Sequence, residues 1–340
     1  QEEISVKKSM LLLNDASEKI STNLTNIAAD LLYLSHLENI KLTFSDSQNR
    51  NNNLKILDFI EHKPIYDQLR TIDLNGNEIF RINRVNNKPI IVNKSDLQSK
   101  KNRYYLTEAI KLNLGEFYIS PLDLNIENEK VELPYKPTIR LATPVFDESE
   151  TKIGIVILNV LYENFLNNLK KFLKRDEAEL FISNSKGNWL VAPEKYKPWS
   201  FMFGKDENQF KKLSPKLWEK VLYNSEAVFK TDRYIYSYKN INPLEILHNK
   251  NILNTKVSQN LIEGFNDKRL QWNFIIAIPN DVIKQRALTN VKKGIPYLIL
   301  GVIIIIILSI YLIRLFDKIL LQSEELKLKA SCFINSDDGM

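Results

Sequence analysis

Hydrophobic positions along this chain follow distinct periods, and each period predicts a different element. Up to about residue 38, Leu13, Ala16, Ile20, Leu24, Ile27, Leu31 and Leu34 recur at steps of three and four, with no Pro or Gly between them. This heptad seam predicts one long helix. Such a seam packs on the helix's own domain or pairs with a second copy, and the two uses are compatible. The polar run 46–53 (DSQNRNNN) interrupts it. From about residue 66 the period shortens to two. LRTIDLNGNEIFRINRV sets Asn75-Gly76 between two alternating runs, a hairpin signal. SDLQSKKNRYYLTEAIKL predicts a helix capped by Ser95 or Asp96. GEFYISPLDL, KPTIRLATPVFD and TKIGIVILNVL predict three strands, and the run 153–160, apolar but for Asn159, places the last at the centre of its sheet.

A looser second copy of this order follows. It comprises an amphipathic helix over 162–174, a hairpin in AELFISNSKGNWLVA turning at 185–188, and a helix over 214–223. Strands follow in AVFKTDRYIYSYKNI and QWNFIIAIP, separated by a variable connection at 241–266. Both halves open with a strand, a D/N-x-x-G-N turn and a strand, as IDLNGNEIF and ISNSKGNWL show. The class is α+β, with antiparallel sheets flanked by helices.

Residues 295–313 (IPYLILGVIIIIILSIYLI) have no polar period and no charge. At helical rise this stretch spans ~28 Å, the hydrocarbon thickness of a bilayer. A buried core helix of that length keeps a polar face, and a signal peptide lies at the start of a chain. The stretch therefore predicts one transmembrane helix, with helix resuming at 281–290 before it and continuing to about Ala330 after it. Lys292 and Lys293 on one side and Arg314 and Lys318 on the other nearly balance, so flanking charge does not set its orientation.

Composition narrows the function classes. The net charge of +6 is spread among acidic residues, without an Arg-rich face, which argues against nucleic acid as a partner. The single cysteine, Cys332, follows the membrane segment. The long part before it has no intramolecular disulfide and must stand on its core, as a bacterial periplasmic domain does. His36, His62 and His248 lie far apart, outside metal-ligand spacing. No Ser-His-Asp order, P-loop or Gly-rich phosphate turn occurs, so neither metal, cofactor nor catalysis is expected within these residues. The chain lacks an initiator Met and stops at FINSDDGM without a closing element, so a longer parent protein is expected.

Residues 1 to about 290 resemble the double Cache (double PDC) sensor domains of bacterial transmembrane receptors. The resemblance is carried by IDLNGNEIFRINRV, NRYYLTEA, GEFYISPLDLNIE and KPTIRLATPVFD followed by GIVILNVLYENF. It implies a long N-terminal helix (1–48), a membrane-distal PAS-like unit (49–162) and a membrane-proximal one (163–290). The transmembrane helix (295–313) and a cytoplasmic stretch (314–340) follow. ELKLKASCFINSDDGM is similar to the opening of a cytoplasmic PAS domain. The resemblance further implies residues 1 to about 292 outside a bacterial inner membrane, a homodimer through the N-terminal helix and a small-molecule ligand in the distal unit. It also implies an output domain past residue 340, a histidine kinase or a cyclic-di-GMP enzyme. The rival expectation is an anchored module that binds a partner protein and no small ligand.

Candidate ligand contacts cluster in the distal unit. Arg103 offers a forked donor for a carboxylate, and Tyr104 and Tyr105 offer ring faces and hydroxyls, one of the two being expected to pack on the sheet. Tyr118 and Ser120 share a strand face, and Asp123 follows. Arg140 sits in an otherwise apolar strand and needs a ligand or an ion pair with Asp123 or Asp147. Arg81 and Arg84 are expected to face solvent. Amino-acid-binding members of the family carry an Arg, one intervening residue, then Trp-Tyr and a nearby Ala. This chain instead has Arg103 directly before Tyr104-Tyr105 and Glu108 at the Ala position, so the implied ligand is a small carboxylate or similar metabolite. Trp189, Trp199, Trp218 and Trp272 are expected in the core or on the surface of the proximal unit.

Overall fold

The computed structural model describes residues 2–47, 50–174, 177–205, 209–242 and 270–337. Most of the predicted variable connection at 241–266 lies outside them. Helix α1 (Glu2–His36) is followed by α2 (Glu38–Ser45) and α3 (Arg50–Glu61). The predicted heptad residues, from Leu13 through Leu34, are all at most 2% exposed. They pack on strands of both sheets described below, so the seam serves the chain's own domain, and each large apolar member contributes about 1.5–3 kcal/mol by burial. The polar 46–53 run is shorter as a break than its composition predicts. Asn52 donates to the Asn39 carbonyl at 2.8 Å and Asn39 donates back to Asn52 Oδ1 at 2.7 Å, so asparagine pairing joins α2 to α3.

The first sheet contains β1 (Tyr66–Ile72), β2 (Glu78–Val85), β3 (Lys88–Ile91), β4 (Tyr118–Ile119), β5 (Asp123–Leu124), β8 (Pro137–Phe146) and β9 (Lys152–Leu161). Its order is β3-β2-β1-β9-β8-β4, with β5 also on β8. The apolar β9 is central, as its sequence predicts. GEFYISPLDL, expected as one strand, is two short ones interrupted around Pro121, which has no N–H for a ladder. A separate two-stranded hairpin, β6 (Ile126–Glu127) and β7 (Lys130–Val131), follows β5 and pairs only with itself. The helix expected from Ser95 or Asp96 forms later, as α4 (Tyr104–Ile110) with Arg103 at its N-cap. Residues before it are drawn instead to the β1–β2 turn: Glu78 N–H donates to the Gln98 carbonyl at 3.0 Å and Lys100 N–H to the Gly76 carbonyl at 2.7 Å.

The second sheet runs β11-β10-β14-β13-β12, built from β10 (Glu179–Asn184), β11 (Trp189–Val191), β12 (Glu226–Lys230), β13 (Tyr234–Ile241) and β14 (Trp272–Pro279). Helices α5 (Glu163–Lys174), α6 (Phe210–Leu213) and α7 (Pro215–Tyr223) accompany it. Trp189, Trp199 and Trp272 are buried in this half, and Trp218 packs partly buried on Phe210. The repeated turn motif has a physical basis. Asp73 Oδ1 accepts the N–H groups of Asn75 and Asn77, and Asn184 Oδ1 accepts those of Lys186 and Asn188. The Gly of each turn, Gly76 and Gly187, adopts positive φ (91° and 79°).

The last helix, α8 (Asn280–Asp337), is continuous through Pro296 and Gly301 and past the expected end at Ala330. Among the described residues it is the one helix long and apolar enough to cross a membrane. Its apolar side chains at 295–313 are exposed, as a lipid-facing surface requires.

Candidate functional site

Strand register divides the first sheet into two faces of opposite chemistry. Leu69, Ile82, Leu158 and Leu141 stand across one face, while Arg81, Arg70, Ile157 and Ala142 stand across the other, with Gln68, Asn159 and Arg140 one pair further along. The second face thus carries a row of polar and cationic side chains in the interior of the protein. A burial this costly requires that every charge be paired and hydrogen-bonded.

The structure resolves that row into two linked groups. In the first, Arg140 Nη1 donates to Asp123 Oδ1 at 2.6 Å and Nη2 to Asn125 Oδ1 at 3.1 Å. Tyr104 donates its hydroxyl to Asp123 Oδ2 at 2.8 Å. Burial alone would lower the Arg140 pKa, but the Asp123 carboxylate outweighs it and the net shift is upward. The second group was not anticipated from the sequence. Arg70 Nη2 donates to Glu127 Oε1 at 2.5 Å and to Gln68 Oε1, and Arg70 Nε lies 3.2 Å from Glu78 Oε1. Arg81 Nη1 donates to Glu78 Oε2 at 2.7 Å, and Lys100 Nζ lies 3.7 Å from Glu78 and 3.5 Å from Glu127. Arg81, expected in solvent, is buried because it faces Arg70 across β1–β2 and needs the same carboxylates. Arg84 is likewise engaged, donating to the backbone carbonyls of Tyr66, Lys63 and Asn87 at the α3–β1 corner and the β2–β3 turn.

Tyr105 joins the two groups. It is the tyrosine of the pair that packs on the sheet, 1% exposed. Its hydroxyl is 3.4 Å from Arg70 Nη1, and the guanidinium carbons of Arg103 and Arg140 lie 5.6 and 5.4 Å from its ring centroid. Tyr104 is 41% exposed as a residue while its hydroxyl is held by Asp123. Among the described residues no carboxylate pairs with Arg103. Tyr118, opposite Ala142 in β4, packs beside Tyr105 at the edge of the same face. Ser120 brackets the backbone, accepting the Arg140 N–H at 2.9 Å and donating to the Pro121 carbonyl. The structure therefore brings Arg103, Tyr104, Tyr105, Tyr118, Ser120, Asp123 and Arg140 together. Asp147 is not among them. It lies at the far end of β8, roughly 20 Å of strand from Arg140, where its Oδ1 holds the N–H groups of Ser149 and Thr151. This is the turn role of Asp73 and Asn184, taken here without the Gly-Asn pair that marks their turns in the sequence.

The charge balance has a consequence for pH. Burial opposes ionisation of Glu127, but Arg70, Lys100, Gln68 and Arg81 overcome it and hold its carboxyl at about 2, below the ordinary 4.5. Lys100 is shifted downward, first by burial and then by Arg70. A depressed carboxylate adds stability above its unfolded pKa and loses it as pH falls through its folded one. Glu127 accordingly contributes about 3 kcal/mol that fades between pH ~4.5 and ~2. Acid titration of unfolding, read by circular dichroism, is expected to show that slope in the native chain and a shallower one in Glu127→Gln.

This arrangement of a long helix and two antiparallel sheets, the first with a polar face, is a double-PAS fold. The fold recurs in the extracellular domain of the candidate histidine kinase vpHK1S-Z8, with a TM-score of 0.68 at 16% identity over 84% of this chain and 95% of that one. It recurs equally in a domain of a candidate sensory box/GGDEF family protein from Vibrio parahaemolyticus (TM-score 0.68, 16% identity, 83% and 98% covered). The periplasmic sensory domain of the Campylobacter jejuni chemoreceptor Tlp1 is more distant (TM-score 0.50, 13% identity, 82% and 98% covered). No curated protein matches the sequence. The family model of the bacterial histidine kinase sensor domain matches residues 35–253, and the chain belongs to that family. It is a sensory family, without catalysis in the sensor domain itself.

Proposed function

We propose that residues 1 to about 292 form the periplasmic ligand-sensing region of a bacterial inner-membrane receptor, with the distal unit taking a small carboxylate. The observation that carries this reading is Arg103. It is a cation over the Tyr105 ring beside the partly exposed Tyr104, with no carboxylate of its own among the described residues. It stands at the rim of a polar face whose four buried cations, Arg70, Arg81, Lys100 and Arg140, exceed its three carboxylates, Glu78, Asp123 and Glu127. An anionic ligand with a donor for Asp123 matches that imbalance.

In this reading α8 crosses the membrane at 295–313 and carries the state of the sensor to residues 314–340 and an output domain beyond them. Ligand binding shifts that state only by its difference in affinity between the two forms. The same fold is attached to histidine kinases, GGDEF proteins and chemoreceptors, so the output is a separate question from the sensor. A homodimer formed through α1 would use the face opposite the buried seam, where Ile4, Leu11 and Tyr33 are exposed.

Calorimetry of the full chain in lipid nanodiscs against a panel of small carboxylates tests the ligand class. Arg103→Ala is expected to weaken binding at least tenfold, about 1.4 kcal/mol or more. Unchanged affinity would reject Arg103 as the ligand's partner. A chain that binds no panel member, yet captures a protein through an apolar distal surface, would favour the protein-binding alternative.

A further inference from the structure

Glu127 differs from the other carboxylate of the Arg70 group in access and in anchoring. The Glu78 side chain has no exposed surface, whereas that of Glu127 is 19% exposed. Glu78 belongs to β2, inside the seven-stranded sheet, whereas Glu127 belongs to the β6–β7 hairpin, whose two-residue strands pair only with each other. The hairpin turns through Asn128 and Glu129, both at positive φ (47° and 62°). It is tied at the turn by Gln98 donating to Asn128 Oδ1 at 2.9 Å, at its base by the backbone and side-chain bonds of Asn125, and through Glu127 itself, whose Oε1 also accepts from Gln68 Nε2 at 2.9 Å. Its inward residue is thus a carboxylate on a short arm, seated among Arg70, Lys100 and Arg81.

Resting on the reading of the distal unit as a carboxylate sensor, we propose that Glu127 is a tethered stand-in for the ligand. An incoming carboxylate takes its seat on Arg70, Lys100 and Arg81, and the β6–β7 hairpin swings away. Exchange of one carboxylate for another keeps the charge of the seat constant, so the buried cations are never left facing one another. The seat also has hydrogen-bonding capacity to spare. Arg81 Nε, and Asn159 Oδ1 at the centre of the face, have no hydrogen-bond partner among the described residues. The arm further connects to the strands that bear on α1. Asn125, the residue before β6, accepts from Arg140 in β8 at 3.1 Å and from Asn159 in β9 at 3.4 Å, and both strands pack against α1. Displacing the hairpin therefore disturbs the centre of the sheet rather than a surface loop. The tether competes with the free ligand, so the apparent affinity of the native chain falls in proportion to the fraction of time the seat is open.

The test uses the full chain in nanodiscs with acetate, lactate and succinate as probes and chloride at equal ionic strength as control. Glu127→Gln is expected to bind at least one of them ten or more times tighter than the native chain. In the native chain, a saturating probe is expected to speed hydrogen exchange at residues 126–131, the opposite of ordinary ligand protection. If the native chain binds a probe while Glu127→Gln binds it no tighter and the hairpin becomes protected, the stand-in proposal is overturned and the carboxylate reading survives. If neither protein binds any probe, both fall. Should Glu127→Gln fail to unfold cooperatively, Glu127→Asp replaces it. That change keeps the charge but withdraws it by one methylene, and is expected to bind about threefold tighter; unchanged affinity would equally overturn the proposal.

Discussion

Replacing Glu78 with Gln is expected to destabilise the distal half of the sensor by about 3–5 kcal/mol, the cost of removing one partner from a buried ion cluster. Gln has nearly the same shape, so the change leaves no cavity and isolates the charge. Glu78 faces Arg70, Arg81 and Lys100 from a side chain with no exposed surface, and its Oε2 also accepts the Gln98 N–H at 2.9 Å. Without it, three cations gather around Glu127 alone. Against a typical stability of about 5–15 kcal/mol for a domain, the loss is a large fraction. The readout must be local. Trp189, Trp199, Trp218 and Trp272 are the only tryptophans and all lie in the half built on the second sheet, so indole emission does not report on the first. Hydrogen exchange at β1 and β9 does. A loss below about 1 kcal/mol there would mean that the cluster is solvated and that its charges are not held in the interior.

The second large effect concerns α8. Residues 295–313 hold fourteen Ile, Leu and Val residues. At about −0.3 to −0.6 kcal/mol each near the helix centre, these favour insertion by roughly 5 kcal/mol, whereas a central Asp costs ~3 kcal/mol. One Asp is therefore expected to be tolerated, while Ile303→Asp together with Ile306→Asp cancels the gain. Alkaline extraction of membranes from expressing cells reads the difference. The native chain and either single variant are expected in the pellet, and the double variant in the soluble or degraded fraction. A double variant that stays in the pellet would contradict a spanning role for this segment, since a surface-lying helix keeps its charges in water.

The sequence revealed the skeleton of the fold more fully than its polar interior. The period-three-and-four seam of α1, the glycine turns at Gly76 and Gly187, the central β9 and the membrane helix all follow from local patterns, which act through residues a few positions apart. The short elements were less visible. Strands β4 to β7 are two residues each, too brief for any period, and α4 begins late because Gln98 and Lys100 are bound to the β1–β2 turn. The site divides in the same way. Arg103, Tyr104, Tyr105, Asp123 and Arg140 stood out by charge or ring chemistry, Arg140 because its strand is otherwise apolar, and the structure gathers them. Asp147 carried the right chemistry but sits in a turn. Arg70, Glu78 and Glu127 carry no local pattern in the sequence that joins them. The register of β1 against β2 sets Arg70 opposite Arg81, Glu78 reaches them from further along β2 and Glu127 from the separate β6–β7 hairpin, and such pairing joins segments that one-dimensional patterns do not connect.

The central claim is that the distal unit holds a small carboxylate at Arg103 and the polar face behind it. Native mass spectrometry of the full chain, released from detergent after incubation with the carboxylate panel, measures this most directly. The account predicts an adduct of one small acid per chain in the native protein, strongly diminished in Arg103→Ala. A native chain that carries no acid, or an adduct that survives Arg103→Ala undiminished, would contradict it.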